Sequence, residues 1–235
     1  MPYATVNLDH LDWTAIASQL DAEGYALLPG FLSESAARDV ARQAEGKGVA
    51  RRASLASMGL GRGELLYPGD VLSIPVELWR AAFYPRLATI ANRWNEILGV
   101  TDRYPKTLVE FLRRNQKAGQ VRAQSHVNRL GVDDHVSLHQ CSDGEQVFPL
   151  QIVGLLSQPG ADFEGGEFVM TEQRPRMQSR PMVLPLKLGD MAIIATAERP
   201  FKGTKGHYRV NLKHAISRVH KGERIGLELS FHDAL

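Results

Sequence analysis

Apolar residues recur at helical spacing through the first half of the chain and fall into short runs through the second. Residues 12–22 (DWTAIASQLDA) place their apolar side chains on one helical face, with Asp12 positioned as the N-cap. Gly24 ends that helix, and Tyr25–Leu28 (YALL) reads as a short buried strand closed by Pro29 and Gly30. Ser33 caps a second predicted helix, Glu34–Glu45. Helical periodicity returns over residues 76–98, which carry Trp79 and Trp94, and over Leu108–Lys117. The basic, glycine-rich stretch from Gly46 to Gly63 (GKGVARRASLASMGLGRG) predicts a mobile loop.

From about residue 124 the texture changes. Short β-branched or apolar runs alternate with glycine, proline and acidic turns, the pattern of a β sandwich or barrel. The runs cover residues 135–141, 147–157, 167–171, 182–186, 191–196, 207–214 and 224–231. Gly165-Gly166 and Gly189-Asp190 are turn signals set before strands. With no long linker or repeat, the expectation is a single domain over residues 1–235. Residues 1–120 are its mainly helical support, and residues 124–235 its β core of about eight strands.

Composition narrows the setting. Hydrophobic residues make up 43% of the 235-residue chain, enough for a packed interior. Twenty-eight basic against 26 acidic side chains leave a formal charge of +2, too near neutral for a nucleic-acid coat. No apolar run approaches the roughly 18 to 20 residues of a membrane span. The start, MPYATVNLDHLDW, lacks the basic head and apolar core of a secretory signal. Cys141 is the sole cysteine, so no intramolecular disulfide forms. Together these point to a cytoplasmic protein.

The candidate chemistry lies in the β half. His139 and Cys141 are two apart on a predicted strand, so both face one side and can converge on a ligand. His214 follows 75 residues later at the end of another strand, and Arg224 ten residues beyond it begins the last strand. A His-x-(Asp/Glu)…His set holds iron(II) with three adjacent positions open. A keto acid fills two of those positions, and an arginine fork suits its distal carboxylate. One hairpin turn through His220 to Glu223 is expected to set the Arg224 strand beside the His214 strand.

The segments VFPLQIVGLLSQPGADFEGGEFVMTEQRPRMQSR, LKLGDMAII and RPFKGTKGHYRVNLKHAISRVHKGERIGLELSFHDA carry a closer likeness, which YPRLATIANRWNEILG and YPKTLVEFL extend. The chain resembles a bacterial family of iron(II)- and 2-oxoglutarate-dependent oxygenases credited with oxidative action on damaged nucleic acid. The resemblance implies a double-stranded β-helix, a cupin-like jelly roll braced by N-terminal helices, with Fe(II) and 2-oxoglutarate as cofactors. It assigns His139 and His214 to iron and Arg224 to the distal carboxylate of 2-oxoglutarate. The family pattern has Leu-His-Gln-Asp where this chain reads Leu138-His139-Gln140-Cys141, so the carboxylate ligand is replaced by Cys141. The stretch from Arg129 to Ser137 also departs from the family pattern.

Several readings of Cys141 stand open. Its thiolate replaces the carboxylate as ligand, or Asp143 or Glu145 swings in through a bulge. Alternatively two histidines alone hold iron, as in halogenases, or the thiol is a packed core residue of a binding protein without catalysis. The implied reaction is hydroxylation or demethylation of a small or nucleotide-like substrate. Arg174, Arg176 and Arg180, with Lys202, Lys205 and Arg209, form a basic group suited to a substrate phosphate or to solvated loop. Aromatic residues at stacking intervals are sparse there, so nucleic acid draws little support. His126, His135, His207, His220 and His232 read as structural or solvated, with His135 the one of these placed to line the pocket.

Overall fold

The computed structural model describes residues 8–45, 49–68 and 76–235. Four helices, α1 (Trp13–Glu23), α2 (Glu34–Glu45), α3 (Val76–Ile97) and α4 (Leu108–Lys117), follow the predicted periodicity. The N-caps of α1 and α2 are the predicted ones. Asp12 accepts hydrogen bonds from the Thr14 and Ala15 amides, and the Ser33 hydroxyl accepts one from Ala36. In the first half the strands are β1 (Tyr25–Leu28), β2 (Val49–Ser54), β3 (Gly61–Arg62) and β4 (Glu64–Pro68). Next come β5 (His126–Leu130), β6 (His135–His139), β7 (Leu150–Leu155), β8 (Phe163–Gly165), β9 (Phe168–Gln173) and β10 (Arg180–Leu184). The last five are β11 (Met191–Ala195), β12 (Glu198–Gly203), β13 (Gly206–Ile216), β14 (Val219–Gly222) and β15 (Arg224–Leu229).

Two antiparallel sheets face each other. The larger runs β1-β11-β7-β15-β5-β4-β2, and the smaller runs β10-β9-β13-β6-β3 with β12 added on β13. This is a jelly-roll core. β7 and β11 are buried at every position; β11 (MAIIA) is an unbroken apolar run, and β7 (LQIVGL) carries the buried polar Gln151. Tyr84 of α3 and Phe111 of α4 stack against each other, and Tyr84 meets Phe148 and Phe231, joining the helices to the core.

The mainly helical first 120 residues also contribute to the β core: the predicted β1 and the unpredicted β4 pair into the large sheet, and β3 into the small one. Two expectations need correction. About half of the described part of the predicted Gly46–Gly63 loop is strand, β2 and β3. Residues 46–48 lie outside the described residues, but β2 pairs with β4, its Val49, Arg51 and Ala53 half-buried in alternation with exposed residues. Finally, β15 does not lie beside β13. The segment expected to be the hairpin turn forms β14, which pairs with β8, and β15 then enters the facing sheet between β7 and β5.

Candidate metal centre

His139 is the last residue of β6, and His214 of β13 is its direct partner across the ladder. The next paired position joins Ile216 to Val136, so β6 carries an extra residue, a bulge. That bulge turns Val136 and His139 into one cavity, while His135, expected to line it, does not. After His139 the chain leaves the ladder. Gln140 pins it down by donating from Nε2 to the carbonyls of Ala197 (3.1 Å) and Leu212 (2.9 Å). Further on, Gln120 donates to Gln146 O and Asp233 O and accepts from Gln146 N, anchoring the same loop from below.

This anchoring brings His139, Cys141 and His214 together, with one ligand atom from each within 4.8 Å of the others. Cys141 Sγ is 3.9 Å from His214 Nε2, and the two imidazole centroids are 4.3 Å apart. His139 Nδ1 bonds to the Ser137 carbonyl at 2.9 Å, which makes Nδ1 the donor and leaves Nε2 with a free lone pair. Phe168 stacks on the other face of His214, nearly parallel at 10°. Burial, reinforced by His139, lowers the His214 pKa to about 3, so its imidazole is neutral at pH 7. Its Nδ1 is buried without a partner. Burial also pushes the Cys141 thiol up, as do the carboxylates of Glu228 and Asp143.

The cavity above these residues, about 110 Å³, has a polar floor and an apolar wall. Leu55, Met58, Leu60, Leu65 and Tyr67, from β2 through β4, form the wall. Asp143 lines the mouth but is exposed, and Glu145 is not among the lining residues.

A buried carboxylate, Glu228, was not singled out in the sequence. It accepts from Asn128 Nδ2 at 3.0 Å and lies 3.7 Å from His126 Nε2. Burial raises its pKa, but His126, His214, His139 and Arg224 outweigh that and hold it below the usual carboxylate range. His126, expected to be structural or solvated, lines the cavity. The available signal was a lone carboxylate in an otherwise apolar strand, four residues after Arg224 and hence on the same face.

Arg224 is buried in the facing sheet. Its Nε donates to Gly166 O (2.8 Å) and its Nη1 to Asn128 Oδ1 (2.9 Å). It borders the cleft around Gly165 to Phe168 and is not among the residues lining the histidine cavity. Burial holds its pKa down to about 10, so it stays cationic at pH 7. A Cβ on Gly226 would stand 2.5 Å from Arg224 Nη1 and 2.6 Å from Asn128 Oδ1, so only glycine leaves room for this pair.

The predicted basic group stays apart from the cavity. Arg174 is engaged by Glu172 (3.0 Å) and stacked over Phe201, Arg180 pairs with Glu23, and Arg209 pairs with Glu198. Neither these three nor Arg176, Lys202 and Lys205 line it.

Residues 63–234 match the family model Oxygenase-NA, described as an oxygenase catalysing oxidative methylation of damaged DNA. Two uncharacterized proteins from strains of Mycobacterium tuberculosis are each 39% identical over 163 residues, 69% of this chain and 70% of theirs. Among solved structures, a Pseudomonas putida prolyl-4-hydroxylase matches with a TM-score of 0.56 at 11% identity, over 95% of this chain and 99% of that one. A Burkholderia pseudomallei member of the 2OG-Fe(II) oxygenase family matches at 0.52 and 19% identity, over 97% and 95%. At such low identity these two share the fold. Among the described residues no helix is long and apolar enough to cross a membrane.

Proposed function

The chain belongs to the Oxygenase-NA family of oxygenases, and from that premise we propose that it uses iron(II) and 2-oxoglutarate to oxidise a small or nucleotide-like substrate. The observation that carries this reading is the convergence of His139, Cys141 and His214 within 4.8 Å on the floor of a cavity. Iron(II) and the keto acid, when bound, supply the oxidising chemistry; the protein supplies orientation and exclusion of water.

His139 and His214 are the metal-holding imidazoles, and Cys141 stands at the third corner. The donor set suits a divalent metal. Ser137 fixes the His139 tautomer, and burial keeps His214 neutral so that its lone pair is available. Asp143 is too exposed to be favoured as a ligand in place of Cys141. Arg224 is the cation for the distal carboxylate. Asn128 and Gly166 use two of its five N–H donors, which leaves donors over for a bidentate contact.

The wall formed by Leu55, Met58, Leu60, Leu65 and Tyr67 favours an uncharged alkyl group or flat ring presented one at a time. Because the basic residues of the 174–209 region do not line this cavity, the reading favours a small molecule or a single extruded base over a strand tracked along a groove. The test is iron-dependent conversion of 2-oxoglutarate to succinate by the purified protein in air. Succinate formation that is lost in His214→Ala supports the reading; none above that control overturns it.

A further inference from the structure

We propose that Glu228, from the sheet facing the His139–Cys141 strand, supplies the metal centre with the carboxylate that position 141 lacks. The inference rests on the iron-centre reading above and puts Glu228 in place of Cys141 as its third ligand.

Glu228 is buried and lines the same cavity as His139 and Cys141. Its Oε2 lies outside the 4.8 Å cluster, and the amide of Gln151 separates it from His214. Gln151 Nε2 is 3.5 Å from His214 Nε2 and 3.4 Å from Glu228 Oε2. Both contacts are at the long limit of hydrogen bonding, so the two N–H donors of this one amide reach two lone pairs without satisfying either well. A divalent cation competes for the same two lone pairs with far more charge.

Ligand type points the same way. Iron(II) in such centres takes imidazole and carboxylate, whereas a thiol is the softer donor. Asp143 is exposed at the mouth, which leaves Glu228 as the buried carboxylate among the lining residues. Charge balance completes the case. A buried dication with two neutral imidazoles needs a nearby anion, and Glu228 provides it within the cavity. Asn128 holds Oε1 at 3.0 Å, whereas Oε2 has the long contacts to Gln151 (3.4 Å) and His126 Nε2 (3.7 Å), so Oε2 is the more weakly held atom to turn toward the metal.

The test is anaerobic calorimetric titration of the full chain with iron(II) alone, comparing wild type with Glu228→Gln, Cys141→Ser and the double variant Cys141→Asp/Glu228→Gln. Loss of a group that only hydrogen-bonds a ligand costs about 10- to 100-fold in affinity. Glu228→Gln is expected to lose more than that, Cys141→Ser to lose less than tenfold, and the double variant to recover affinity near wild type. Circular dichroism and thermal unfolding confirm that each variant is folded; Glu228→Asp, which keeps the charge, serves if the glutamine variant is not. A loss of 100-fold or less in folded Glu228→Gln, or no recovery in the double variant, overturns the assignment while leaving the two-histidine centre standing. No iron(II) binding by wild type overturns both.

Discussion

His139 and His214 face each other as direct ladder partners on β6 and β13, their ring centroids 4.3 Å apart. The centre is thus built by strand register. A one-residue slip of β6 would turn His139 to the opposite face.

Removing either imidazole should therefore cost iron(II) affinity more than about 100-fold, beyond the loss of an outer hydrogen-bonding partner. His139→Ala is the cleaner variant, because His139 is half-buried whereas His214 is fully packed under Phe168. Calorimetric titration with iron(II) checks this, and affinity within tenfold of wild type would contradict it.

Gly226→Ala should separate keto-acid binding from metal binding. The added methyl would stand 2.5 Å from Arg224 Nη1 and push the guanidinium off its site. Overpacking of this kind costs about 1–3 kcal/mol of stability. The 2-oxoglutarate affinity should fall while iron(II) affinity is kept, as measured by two separate titrations.

Arg199 tests the frame away from the site. It is fully buried, pairs with Glu172, and donates to the Asp21 and Ala22 carbonyls at the C-terminal end of α1. Arg199→Met leaves the buried Glu172 with Arg174 as its remaining guanidinium partner, so the cost should fall below the about 3–5 kcal/mol of a fully unpaired buried charge. Urea unfolding should show that loss with iron(II) affinity unchanged.

His232 predicts acid sensitivity. Burial, helped by Arg80, lowers its pKa from 6.5 to about 4, and its Nδ1 accepts from the Phe148 amide. Between those values the unfolded chain binds a proton that the folded chain refuses. The stability this group contributes is therefore intact above pH 6.5 and is lost as pH falls toward 4. His214 acts in the same sense down to about 3. Urea midpoints measured from pH 7 to 4 should decline, and more gently in His232→Gln.

The helices and most of the β core were legible because their burial is one-sided or complete. Asp12 and Ser33 mark helix starts, and the run Met191–Ala195 is buried on both faces. What the pattern concealed was strand whose polar residues serve the site. β5 hides behind His126, Asn128 and Arg129, yet Asn128 is buried because it bridges Arg224 and Glu228. β12 carries Pro200 and charged residues, which an edge strand tolerates. His139, His214 and Arg224 were singled out by spacing together with the family resemblance, although the hairpin expected to set Arg224 beside the His214 strand did not form. Glu228 was not, since its role depends on which sheet β15 joins, and the short β14 segment decides that.

An iron(II)–2-oxoglutarate centre built on His139 and His214 should carry a visible absorption signature. Anaerobic titration of the protein with both ligands, followed by visible absorption, tests it most directly. A metal-to-ligand charge-transfer band that saturates, disappears in His214→Ala and weakens in Arg224→Ala is the predicted result. Absence of any band, together with no heat of iron(II) binding, would contradict it.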